Sequence, residues 1–299
     1  MIKYLQYLAL CLIWGTTFAA IKIGSASTPP MVGLALRYWF AIAILIISVL
    51  LTGRKIPLDR ESLKMYWVVG FYSMGLSYLC TYWAMQFIPS SLSSILWATF
   101  PLFIGIFAHF MVSAERLNFQ RLFSILAATL GVVMILSDQV LVINRKVLFG
   151  CIVVLLGVVL ASYPTVYVKT KKHKYDSIVL TTMSLIIGAV IHTFGALIAG
   201  EFGLMSWSSR NIGAAAYLGI FGSAVTFYIY YSLMHHMEVV KLSFVSFITP
   251  VIATLVGAIF LHEAVTFQEI FGIGLIFAGL FLYDFRKYAV YLKQCKAHN

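Results

Sequence analysis

Charge is what this chain has least of. Only 10% of its 299 residues are Asp, Glu, Lys or Arg, against about a quarter in an average soluble domain. Acids are scarcest: ten in all, at 59, 61, 115, 138, 176, 201, 238, 263, 269 and 284. Each falls in a loop or at the end of an apolar run. No carboxylate lies in the middle of one. That disfavours a buried site for an organic cation, whose charge would need a partner away from water. It equally disfavours a carboxylate relay for protons or sodium. A neutral, zwitterionic or anionic ligand fits better.

Other absences narrow the field further. There are four cysteines. Cys11, Cys80 and Cys151 sit inside apolar runs and Cys295 in the tail, so no extracellular disulfide is expected. No Gly-rich loop with a Lys is present to cradle phosphate, and His235-His236 has no ligand partner at metal spacing. No cofactor, metal or enzymatic chemistry is expected. An integral-membrane enzyme acting on lipid would need a cluster of His or carboxylates near one interface, and none is visible. That reading and a channel-like permease remain the alternatives.

What is present is apolar length. The chain is 62% hydrophobic with a mean hydropathy of +0.95. A membrane-spanning helix needs about 20 apolar residues. Ten runs qualify: 4–23, 31–51, 65–86, 90–112, 119–137, 147–168, 178–200, 211–232, 240–261 and 267–285. They are continuous rather than alternating, which favours helices over a barrel. The expected class is an all-α integral membrane protein of ten spans with the lipid bilayer as its solvent. The first run could be misread as a signal peptide, but it is longer than a usual h-region.

The basic residues give an orientation. With the N-terminus inside, 16 of the 21 Lys and Arg fall on the inner side, four fall outside, and Arg37 lies within a span. Inner loops carry the excess in membrane proteins, so both termini are expected in the cytoplasm. The formal charge of +11 is mostly inside-positive loop charge, and no nucleic-acid partner is expected.

The chain also repeats itself. "AERLNFQRL" around Glu115 returns 148 residues later as "HEAVTFQEI" around Glu263. Pro101 matches Pro250, Ser94 and Trp97 match Ser243 and Ser246, and "SYLCTYWAM" matches "TFYIYYSLM". Gly70 matches Gly219, and Gly131 matches Gly279. "WGTTFAAIK" aligns loosely with "ASYPTVYVK". The reading is two five-helix units, 1–140 and 141–299. Five is odd, so the second unit enters the membrane from the opposite face, and inverted repeats of this kind can build two access states around a midplane site. The Glu of the repeated phrase is read as ending or capping its corner rather than as a gating ion pair.

These residues carry a resemblance. "IWGTTFAAIKIG", "PPMVGLALRYWFA", "SSILWATFPLF" with "ERLNFQRLFSILAATLGVVMI", and "YLGIFGSAVTFYIYYSLM" with "LSFVSFITPVIATLVGAIFLHEAVTFQEIFGIGLIFAGLFL" resemble the EamA branch of the drug/metabolite transporter superfamily. The resemblance covers about 4–287. It implies a multi-pass carrier of the bacterial inner membrane, commonly an exporter of amino acids or related small metabolites.

Candidate site residues follow from helical spacing. Ser94, Trp97 and Pro101 share a face at i, i+3, i+7, and Ser243, Ser246 and Pro250 repeat it. Tyr78, Tyr82 and Gln86 share another, matched by Phe227 and Tyr231. Trp14, Thr17, Tyr163 and Pro164 lie on the corresponding stretches of the first and sixth spans. Aromatic stripes are most often packing, but these also carry hydroxyl and amide groups. Pro101, Pro164 and Pro250 remove backbone donors within spans and read as hinges or static kinks. Arg37 lies about 9 Å deep at 1.5 Å per residue. The preferred reading is an anchor snorkelling to the outer interface or a link to backbone carbonyls; a carboxylate clamp is the alternative. His109 and His192 are read as hydrogen-bonded within the bundle. A monomer is the expected oligomeric state.

Overall fold

A computed structural model describes residues 2–25, 28–136, 144–171, 175–260 and 266–297. Glu263 and Asp138 lie outside the described residues. The regular structure of the described residues is all helical, with no strand. They form ten helical segments. Helix 1 is Ile2–Ser25, helix 2 Pro30–Leu51, helix 5 Phe119–Leu136, helix 6 Arg145–Thr170, helix 7 Ser177–Ile198 and helix 10 Phe267–Ala297. Helix 4 is Ser90–Met111 and helix 8 Ser209–Met234. Helix 3 runs through Arg60–Val68, Val69–Ser77 and Tyr78–Ala84, and helix 9 through Val239–Ser243 and Val245–Phe260.

Six are long and apolar enough to cross a membrane: helices 2, 4, 6, 7 and 8, and 267–285 of helix 10. Their outward faces fit that solvent. Trp39, Ile47, Leu50 and Leu51 of helix 2 and Phe271, Phe277 and Phe281 of helix 10 are exposed, large apolar side chains that water would penalise.

The repeated phrase has a local cause. Asn118 caps helix 5, its Oδ1 accepting from Arg121 N at 2.9 Å. Thr266 caps helix 10 as half of a capping box: its N–H reaches Glu269 Oε2 at 2.7 Å, and its Oγ1 accepts from Glu269 N at 3.2 Å. The shared Asn-or-Thr position is therefore a helix start, for which both residues are favoured.

Packing follows a matched pattern. Helices 3 and 6 pair, as do 8 and 1; 3 and 7 pair, as do 8 and 2; 4 and 6 pair, as do 9 and 1. Helices 2 and 7 pack on each other, and so do 5 and 10. Glycines set the closest approaches. A Cβ on Gly131 of helix 5 would lie 2.5 Å from Gly272 O of helix 10, and one on Gly272 would lie 2.6 Å from Gly131 O. Gly70 of helix 3 sits against Ser184 O of helix 7 in the way Gly219 of helix 8 sits against Arg37 O of helix 2.

Helices 3 and 8 each widen into a π stretch, at Val69–Ser77 and Ile220–Val225. A π turn inserts a residue and re-aims the side chains beyond it. The prolines act less uniformly than the sequence suggests. Helix 4 breaks after Trp97, and Pro101 lies in the first turn of the second piece, where its missing N–H costs nothing. It starts a helix rather than kinking one. Pro164 and Pro250 lie inside helices. The carbonyl of Ser246, four residues before Pro250, accepts instead from Thr249 Oγ1 at 3.3 Å.

Candidate solute-binding cavity

The matched helices enclose a central cavity of about 90 Å³. Helices 1, 2, 3, 4, 6, 8 and 9 all contribute. Trp14, Thr17, Arg37, Tyr78, Ser94, Trp97, Phe227, Tyr231 and Ser246, all singled out from the sequence, line it. Ser73, Thr81, Phe100, Thr165, Tyr230 and Thr249 line it too, and sequence reasoning missed them.

The aromatic wall is tightly joined. Tyr78 meets Phe227 edge-on at 5.9 Å between ring centroids, and Phe227 meets Trp14 at 6.1 Å. Trp14 tilts against Tyr230 at 5.4 Å and Trp97 against Phe100 at 5.7 Å. The indole of Trp97 donates to Thr81 Oγ1 at 3.1 Å. Most wall hydroxyls serve their own helices: Thr17 donates to Trp14 O, Ser94 to Ser91 O, Thr165 to Ala161 O and Ser246 to Ser243 O. Such bonds leave the oxygen able to accept from a ligand.

Arg37 takes the second of its two expected roles, a link to a backbone carbonyl of another helix, and not the first. It does not snorkel; it is 1% exposed. Nε donates to Ser223 Oγ at 2.7 Å, Nη2 to Gly222 O at 2.7 Å, and Nη1 to Tyr82 OH at 3.2 Å. Its Cζ lies 4.9 Å from the centroid of the Tyr78 ring. Ser223 and Gly222 belong to the π stretch of helix 8, so the widened turn supplies the acceptors. The partners are all neutral. Among the described residues Arg37 makes no ion pair, and no Asp or Glu lines the cavity.

Four expected residues lie elsewhere. Tyr82 stands behind Arg37 and lines a smaller cavity of about 20 Å³ with Gly33 and Asn211. Gln86 is exposed in the turn after helix 3, which ends at Ala84. Tyr163 packs against Tyr72 and Phe107. Ser243 is fully buried and donates to Val240 O. His192 is buried on helix 7, its Nε2 3.0 Å from Met74 O, a carbonyl that also accepts from Tyr38 OH. This contact to the π stretch of helix 3 is the counterpart of the Arg37 contact to helix 8.

The two ends of the bundle differ. The ion pairs among the described residues cluster at one end: Arg54 with Asp176, Lys171 with Glu61 at 2.8 Å, Arg121 with Glu238 at 3.2 Å, and Lys241 with Asp284 at 2.5 Å. At their centre is Glu115, 3% exposed. It does not cap its own corner. Its Oε2 accepts from Val239 N, at the start of helix 9, at 2.7 Å, and its Oε1 lies 3.8 Å from Lys169 Nζ of helix 6. Lys169 also donates to the carbonyls of Met234 and Met237 at the end of helix 8. Burial pushes the Glu115 carboxyl above the usual carboxylate range, against the pull of Lys169 and the Val239 N–H. Toward the other end the separation is thin: Ile21 lines both the central and the smaller cavity, and Tyr82 stands beside it.

The comparisons with known proteins agree with this architecture. A model of the EamA-like transporter family matches residues 1–137 and again 148–283. An uncharacterized transporter of Bacillus subtilis (strain 168), YoaV, is 27% identical over 94% of this chain and 96% of its own. An uncharacterized inner membrane transporter of Escherichia coli (strain K12), YedA, is 26% identical over 94% of this chain and 90% of its own. A solved crystal structure shares the fold with a TM-score of 0.80 at 18% identity, covering 96% of this chain and 98% of that one. With two family matches that together span nearly its whole length, this chain belongs to the EamA-like transporter family.

Proposed function

We propose that the chain is a secondary transporter of the bacterial inner membrane, working by alternating access around the central cavity. Ten spans carry it across the bilayer, with both termini in the cytoplasm, and residues 1–140 and 141–299 act as inverted five-helix repeats. The solute is a small metabolite, such as an amino acid or a similar neutral, zwitterionic or anionic molecule, and export is the direction the resemblance implies.

One observation carries the reading: a cavity built from both halves of the chain is sealed heavily at one end and thinly at the other. The heavy seal joins the loop of Glu115, from the first half, to helices 6, 8 and 9 of the second. In the proposed topology that seal is cytoplasmic. The structure then represents a state closed to the inside, with Ile21 and Tyr82 as the thinner outer barrier. Inverted repeats allow the opposite state by exchange of the two halves' conformations.

The test is counterflow in liposomes. Purified protein preloaded with unlabelled solute should transiently accumulate the labelled form, and the rate should saturate. Conductance without saturation or counterflow supports the channel reading instead. An impermeant thiol reagent should label a cysteine at Gly203 from outside and one at Arg60 only from inside. Outside labelling at Arg60 would reverse the topology.

A further inference from the structure

Arg37 is a buried cation that finds no counter-ion among the described residues. Its neighbours are a hydroxyl, a carbonyl, a phenol and an aromatic face. Such a charge, away from water, is costly unless something negative meets it. A guanidinium has five N–H donors, and three have partners here. The two that remain, one on each terminal nitrogen, belong to a side chain that lines the cavity. Paired N–H groups on one planar fork match the two oxygens of a carboxylate.

We infer that the counter-ion of Arg37 is the solute, a monocarboxylate with a planar or apolar body. The charge inventory selects one negative charge. The cavity wall offers one cation and no acid, so a monoanion makes the loaded site neutral. A phosphate dianion would leave excess charge on a single guanidinium. A zwitterion would bring an ammonium that no carboxylate of the wall could meet. The wall selects the body: Trp14, Tyr78, Phe227 and Tyr230 present ring faces and edges around the space beside the guanidinium.

This inference narrows the carrier reading to a solute class, but its binding test needs no transport. Thermal-shift titrations of the purified full chain should use benzoate, benzamide, phenylglycine and phenyl phosphate. Binding to the native state raises apparent stability with ligand concentration. Benzoate should bind at least roughly tenfold more tightly than its neutral isostere benzamide, because it gains a charge-assisted bidentate contact. Arg37→Gln should bring the two within about twofold of each other, and Arg37→Lys should fall between, keeping charge without the fork. If Arg37→Gln does not fold, the comparison of acid with amide in the unaltered protein still decides. Equal binding of benzoate and benzamide, binding of neither, or phenylglycine or phenyl phosphate binding as tightly as benzoate overturns the proposal. So does an acid preference that survives Arg37→Gln. Counterflow separates the two readings. Benzoate bound through Arg37 without counterflow keeps the clamp and removes the carrier. Counterflow of other solutes with no acid preference keeps the carrier and removes the clamp.

Discussion

The seal around Glu115 makes a quantitative demand. Glu115→Ala removes the acceptor of the Val239 N–H and the partner of Lys169. Loss of a side-chain cap costs about 0.5–2 kcal/mol. The 3.8 Å pair with Lys169 adds roughly 0–1 kcal/mol, discounted because Lys169 keeps its two carbonyl partners and is partly hydrated. Together the closed inner state should weaken by about 0.5–3 kcal/mol, a factor of roughly 2–150 in the closed-to-open ratio. The assay is a distance measurement between spin labels at Ala114 and His236, on opposite sides of the seal, in a background lacking the native cysteines. The unaltered protein should give mainly the short distance of this structure. Glu115→Ala should populate a longer one, and Glu115→Gln, which keeps a neutral acceptor for Val239, should keep the short one. An unchanged distance distribution in a folded Glu115→Ala protein would refute the claim that this contact holds the inner side shut.

Three further outcomes follow from the same geometry. Because burial raises the Glu115 pKa in the closed state, that state takes up a proton more readily than an open state where the carboxyl is hydrated. Closure should therefore strengthen as pH falls from above the raised value toward the ordinary 4.5 and weaken as pH rises through it; the same label pair reads this, and Glu115→Gln should flatten the dependence. Trp97→Ala and Tyr231→Ala should each change transport rate or selectivity without loss of folded protein by gel filtration, whereas Phe110→Leu, at a position 81% exposed, should not; parent-like transport by both cavity variants would reduce the aromatic wall to packing. Gly131→Leu should cost at least about 1–3 kcal/mol by overpacking, because a Cβ there already meets Gly272 O at 2.5 Å; an unchanged thermal midpoint would mean that helices 5 and 10 separate freely.

Much of this was legible in the sequence, and the exceptions have physical causes. The helical segments were visible as apolar runs between charged loops, and their edges moved by only a few residues, except where helix 3 starts earlier at Arg60 and helix 10 runs on past 285. The cavity was legible where polar and aromatic residues recur in both halves, as with Trp97 against Ser246 and Tyr78 against Phe227. It failed where one helix face meets two spaces. Tyr78 and Tyr82 lie one turn apart in a regular stretch of helix 3, yet Tyr78 meets the main cavity and Tyr82 the smaller one, and Thr81, three residues after Tyr78, enters the wall unannounced. Gln86 was lost because the helix ends two residues earlier. Thr165 and Thr249 were findable: each lies one turn from a wall residue on its own helix, four after Ala161 and three after Ser246. For Arg37 a link to backbone carbonyls was one expected reading, but not which carbonyl, because the acceptor comes from a π turn in helix 8, 185 residues away. Depth alone made snorkelling reasonable, and only tertiary contact shows the side chain turned inward.

The central claim is that the cavity opens to one side of the membrane at a time. A single cysteine at Ser246, in a chain lacking the native ones, places a reactive thiol on the cavity wall. An added cysteine pair at Glu115 and Val239 allows the inner seal to be crosslinked. With the crosslink formed, a small impermeant thiol reagent should reach Ser246→Cys only from outside. After reduction it should reach that position from both sides, and counterflow should return with it. Labelling from the inside while the seal is crosslinked, or counterflow at the full rate in that state, would contradict alternating access.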